Sequence, residues 1–134
     1  MFGSLDTSTS ALVANRIRME TVAANVANAN SITDENGENN PFRRRIALLA
    51  AGDPTSGRSQ GVHVDEIVYD DAPFQLKFEP NHPLADTEGY VKYPNINPIF
   101  EQVNALEISR AYEANIQAAE ATKAMMQTSL RLLA

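Results

Sequence analysis

The strongest constraint in this chain is where its helix breakers lie. All seven prolines, Pro41, Pro54, Pro73, Pro80, Pro83, Pro94 and Pro98, and five of the six glycines, Gly37, Gly52, Gly57, Gly61 and Gly89, fall between residues 37 and 98. Proline removes a backbone donor and clashes with the preceding helical turn, while glycine raises the entropic cost of helix formation. Nothing interrupts a helix from Ser4 to Asn36 or from Ile99 to Ala134. The second stretch, helical throughout, would be roughly 54 Å long at 1.5 Å per residue.

Both ends carry helical periodicity. Leu5, Leu12, Met19 and Val26 recur every seven residues, and Ser8, Asn15, Val22 and Ala29 follow each by three, which is an a/d stripe. The C-terminal stretch places Ile108, Tyr112, Ile116, Ala119, Met126, Leu130 and Leu133 at three-, four- and seven-residue intervals. Its charges are expected to pair at three-residue spacing, Glu107 with Arg110 and Glu120 with Lys123. The seams are weak for a self-contained coiled coil, because Ser8, Asn15 and Ala29 stand where Leu or Ile belongs. Nineteen alanines contribute little side chain to bury. Such helices need neighbours, so assembly with other copies or chains is the expectation.

The middle reads as short strands and turns. "FRRRIALLA", "GVHV", "FQLKF" and "YVKY" are strand candidates, the last three by alternation. "DENGENNP", "GDPTSG" and "EPNHP" carry turn chemistry. The fold class expected is α+β: long N- and C-terminal helices packed as an antiparallel coiled-coil-like hairpin, with a small β-rich middle segment. The corresponding units are 1–36, 37–98 and 99–134.

Chemistry is sparse. The chain has no cysteine, which excludes disulfides, thiolate metal sites and cysteine nucleophiles. His63 is expected to face solvent, and His82 beside Asp86 reads as a loop histidine rather than a metal ligand, so no metal and no cofactor is expected. The adjacent carboxylates Asp65 and Glu66, and Asp70 and Asp71, point to opposite strand faces and do not converge on a substrate. Met125 and Met126 with Leu130 read as ordinary packing. Arg43, Arg44 and Arg45 either grip an acidic partner or solvate a strand edge. With a net charge of −6 and a pI near 4.8, the chain is not a nucleic-acid binder. The first residues lack the basic and apolar regions of a secretory signal, and no apolar run is long enough for membrane insertion, so a soluble chain is expected.

Three stretches together resemble the bacterial flagellar basal-body rod family, most closely its proximal members. "ANVANANS" at 24–31 is similar to the family's N-terminal signature A-N-[LIV]-A-N-A-x-[ST]. "NHPLADTEGYVKYPN" at 81–95 resembles the proximal-rod pattern, with Gly89, Tyr90, Val91, Pro94 and Asn95 matching. "SRAYEANIQAAEATKAMM" at 109–126 is similar to the C-terminal signature, with Glu113 where Gln is common. The resemblance implies a structural subunit and no enzyme, exported unfolded by the flagellar type III apparatus and polymerised helically in the periplasmic space to transmit torque. The implied partners are other rod subunits, including the proximal rod proteins, the rod-ring adaptor and the distal rod, and copies of itself. The alternative is a non-flagellar helical-hairpin interaction protein, with an enzyme third. The expected interface residues are Leu5, Leu12, Met19, Val22, Asn25, Val26 and Asn28 on the N-terminal helix, and Ile108, Arg110, Tyr112, Asn115, Ile116, Met126 and Leu130 on the C-terminal one.

Overall fold

A computed structural model describes residues 2–53 and 57–133. Residues 54–56 of the expected "GDPTSG" turn therefore lie outside the described residues, as do Met1 and Ala134. The order is helix α1 (Phe2–Ala27), strands β1 (Arg45–Asp53), β2 (Arg58–Tyr69), β3 (Gln75–Phe78) and β4 (Tyr90–Tyr93), and helix α2 (Pro98–Leu133). All four strand candidates form strands, in an α+β architecture.

Each helix begins or ends for a local reason. Pro98 occupies the first helical position, where its missing N–H is no loss, and Asn97 precedes it as the cap. The Asn97 carboxamide oxygen accepts from the Ile99 N–H at 3.0 Å, and its carbonyl accepts from the Glu101 N–H at 3.1 Å. Helix α1 ends at Ala27, well before Asn36, to which the breaker-free stretch would have let it run. The Asn28 N–H still reaches the Ala24 carbonyl at 3.1 Å, but the Ala29 and Ser31 N–H groups bond only three residues back, to Val26 and Asn28 at 3.3 and 3.1 Å, so the chain tightens out of the helix there. Residues 28–44 are then turn and extended chain, folded back by Asp34, whose carboxylate accepts from the Asn36 and Glu38 N–H groups at 3.0 Å each.

The strands form two separate antiparallel hairpins, β1 with β2 and β3 with β4. The longer one bends at two register shifts, Leu48/Leu49 and Ala51/Asp53, and lies along α1. Gly61, at φ +98°, lets β2 approach closely, since a Cβ there would stand 2.8 Å from the Ser10 Oγ. That hydroxyl accepts from the Val62 N–H at 3.1 Å.

Helix α1 is the central element, with α2 on one side and the β1–β2 hairpin on the other. Asn15 and Met19 sit beside Ile108 and Tyr112, and Asn25 meets Glu101, so α1 and α2 run in opposite directions. Ser10, Ala14 and Ile17 line the opposite side with Val62 and Val64. The heptad stripe accounts for the first of these faces alone. Among the described residues, the buried apolar core is only Ala14, Val22, Ala29, Val91, Ile96 and Ile108.

Candidate assembly surfaces

The side chains expected to meet a neighbour divide into three groups. Val22 and Ile108 are buried within the chain, Leu5, Leu12, Met19, Asn115 and Met126 are half-buried, and Val26, Arg110, Tyr112, Ile116 and Leu130 are exposed. The helix ion pairs expected at Glu107–Arg110 and Glu120–Lys123 do not form; among the described residues the helix-surface pair is Arg16–Glu20 at 3.2 Å. Four-residue spacing with the acid and base in facing turns gives that pair its reach.

Asn25 and Asn28, expected to face another chain, have their amides engaged in this one. Asn25 is 1% exposed. Its Nδ2 donates to the Arg45 carbonyl at 2.8 Å and to the Glu101 Oε2 at 3.1 Å, and its Oδ1 accepts from the Arg45 N–H at 2.8 Å. Glu101, also 1% exposed, accepts from the Arg44 Nε at 2.6 Å, and Arg44 lies 3.6 Å from Asp70. Sequence periodicity did not single out Glu101, because a carboxylate in the first turn of a helix ordinarily reads as a solvated dipole partner.

Of the arginine run, Arg43 and Arg45 are exposed and Arg44 turns inward. Arg44 is held in that buried pair, Arg43 donates to the Asp70 carbonyl at 3.1 Å with its guanidinium 4.4 Å from the Phe74 ring centre, and Arg45 stacks 5.2 Å from Phe42. His63, expected in solvent, is half-buried with Nδ1 2.8 Å from the Gly52 carbonyl. His82 accepts the Leu84 N–H at 3.1 Å within its loop, and Asp86 accepts from Glu88 and Tyr90 N–H at 2.9 and 2.8 Å. No group of residues among those described converges as a metal site.

The central motif is a folded unit. Gly89 turns the chain at φ +86°, and a Cβ there would lie 3.0 Å from Phe78 and 3.1 Å from Pro80. Val91 and Pro94 are buried, Tyr90 meets Phe78 edge-on at 5.3 Å, and Asn95 is exposed near Gln75. Asn39 holds the early loop against this hairpin through the Lys92 N–H and carbonyl at 2.9 and 3.0 Å. The Tyr93 hydroxyl donates to Glu79 at 3.1 Å, and partial burial, then that bond, then the Glu79 charge raise its pKa above the ordinary phenol value.

Large apolar side chains remain outside. Ile99, Val103 and Leu106 form an outward stripe at the start of α2, opposite the face that carries Ile108, with exposed Phe100 on its flank. Helix α2 has 36 residues to α1's 26, and its far end exposes Leu132 and Leu133 at 82% and 86%. On β3, Leu76 and Phe78 are exposed as well. The chain exposes 9298 Å², roughly 2,300 Å² more than a compact protein of its mass. A standard interface covers roughly 800 Å² on each partner, so the excess matches several partner faces.

Comparison with known proteins agrees. A family model described as flagella basal body rod protein matches residues 5–33, and one described as flagellar basal body rod FlgEFG protein C-terminal matches residues 87–132. The flagellar basal-body rod protein FlgC of Bacillus subtilis (strain 168) is 38% identical over 145 residues, spanning 98% of this chain and 97% of the relative. FlgC of Escherichia coli O6:H1 is 37% identical, spanning 95% and 93%, and that of Salmonella typhimurium LT2 is 38% identical over the same shares. The chain belongs to the flagellar basal-body rod protein family. It is thus a structural rod subunit of the flagellar basal body and not an enzyme. As a rod protein it assembles with other rod and basal-body components.

Proposed function

We propose that this rod protein polymerises helically in the proximal part of the rod, with α1 and α2 forming a coiled-coil-like inner layer and the β-rich middle lying outside it. The observation that carries the reading is the outward stripe Ile99, Val103 and Leu106, flanked by Phe100, which the chain's own fold leaves uncovered. An apolar face left exposed on a helix whose other face is already packed marks a surface that another chain covers. Copies of this chain, other proximal rod proteins, the rod-ring adaptor and the distal rod are the partners proposed. Of the interface residues named from the sequence that stay exposed, Arg110 continues this stripe along α2, whereas Tyr112, Ile116 and Leu130 lie toward the face that carries Ile108 and Val26 lies on α1. Export through the flagellar type III apparatus to the periplasmic space, and transmission of torque toward the hook, complete the proposed role.

The test is Val103→Asp. Val103 is 57% exposed, so the variant should fold with a stability change within about 0.5 kcal/mol. In a strain lacking the wild-type chain it should be secreted yet build no rod, because the charge would be desolvated at the contact. A variant that restores swimming fully would refute the stripe as an assembly face.

A further inference from the structure

We infer that Asn25, Arg44 and Glu101 form a positioning joint that sets the angle between the helical pair and the β-rich middle. Four segments that are distant in sequence converge there. Asn25 comes from α1, Arg44 and Arg45 from the entry to β1, Asp70 from the exit of β2, and Glu101 from the first turn of α2. The Asp70 N–H also donates to the Arg44 carbonyl at 2.8 Å, closing the open end of the long hairpin. The cluster therefore joins both strands of that hairpin to both helices at one place.

The chemistry is suited to fixing a direction rather than to adding stability. Each carboxylate oxygen of Glu101 has its own directed partner, the Arg44 Nε on one and the Asn25 Nδ2 on the other. Asn25 grips the backbone of Arg45 through both its donor and its acceptor. Removing a charge pair from water is expensive, and well-packed apolar side chains of similar volume often serve stability as well or better. Hydrophobic contacts are non-directional, whereas this arrangement permits one relative orientation. The core is thin, and a small cavity of about 150 Å³ lies beside the cluster between Val22, Ile46, Asn104 and Ile108. The joint also gives the asparagine of the "ANVANANS" stretch a role inside the subunit.

The test separates orientation from stability. The chain contains no cysteine, so Glu66→Cys on β2 and Gln117→Cys on α2, both exposed sites, accept one spin label each without competition. Pulsed-resonance distances on the purified chain should give one narrow population with the joint intact. The double variant Arg44→Met with Glu101→Leu should keep its melting temperature within a few degrees while the distance distribution widens at least twofold. Should that variant fail to melt cooperatively, Arg44→Lys decides, since it keeps the charge but lacks the fork that reaches Glu101 and Asp70 together; it should widen the distribution too. A distribution as narrow as the parent's, in whichever of these variants folds, would overturn the inference. These distances concern the single chain, so their outcome is independent of the proposed place in the rod.

Discussion

Replacing Asn25 by Ala sets two physical effects against each other with opposite signs. Asn is a poor interior helix residue, and on propensity alone the change stabilises α1 by about 0.6 kcal/mol. The structure argues the reverse. The side chain makes three hydrogen bonds, two with the Arg45 backbone at 2.8 Å and one to Glu101 at 3.1 Å, at a position 1% exposed. Neutral bonds contribute about 1 kcal/mol each net, and a bond to a charged group about 1.5–3 kcal/mol. The gross loss is then about 4 kcal/mol. Water entering the adjacent cavity of about 150 Å³ would re-satisfy part of it, and the propensity gain offsets a little more. The expected net destabilisation is about 2–3 kcal/mol. In urea titration followed by circular dichroism, with a slope of about 1–3 kcal/mol/M, the midpoint should fall by about 1–2 M. A midpoint unchanged or raised would refute the reasoning, because propensity would then outweigh the buried bonds.

Two further outcomes follow from the central hairpin. Gly89→Ala should destabilise the chain by about 1–3 kcal/mol, since an L residue is strained at φ +86° and its Cβ would press on Phe78 and Pro80 at 3.0 and 3.1 Å; thermal melting that matches the parent would count against this. The raised Tyr93 pKa favours the protonated phenol in the folded state, so its contribution is complete below about pH 10, the unfolded value, and disappears as pH rises through the folded one. Hydrogen exchange or melting above that pH should therefore show the β3–β4 hairpin loosening, and Tyr93→Phe should remove that part of the pH dependence.

Much of the architecture is legible in local chemistry. The proline and glycine distribution marks where helix is possible, Asn97 and Pro98 start α2, and alternation in "FQLKF" and "YVKY" makes strands whose register the Gly89 turn then determines. The heptad Leu5, Leu12, Met19 and Val26 identifies the side of α1 that α2 covers, but not the second side used by the β hairpin. Ser10 and Ala14 on α1 and Gly61 on β2 make the close approach on that side, and polar or small residues give no hydrophobic period. The end of α1 leaves no mark in the periodicity, because the chain departs from the helix through backbone bonds that shorten to three-residue spacing at Ala29 and Ser31.

By itself, then, the sequence determines two long breaker-free helices, a turn-rich middle, the lack of thiol chemistry and the need for neighbours, because each of these depends on residues close together in the chain. The tertiary structure alone decides what Asn25, Arg44 and Glu101 do. Asn25 and Glu101 are 76 residues apart, and whether a polar side chain meets solvent, another subunit or a buried partner depends on which distant segment folds over it. A buried carboxylate and an exposed one are written with the same letter. Only the arrival of Arg44 and Asn25 on its two oxygens makes Glu101 part of the interior.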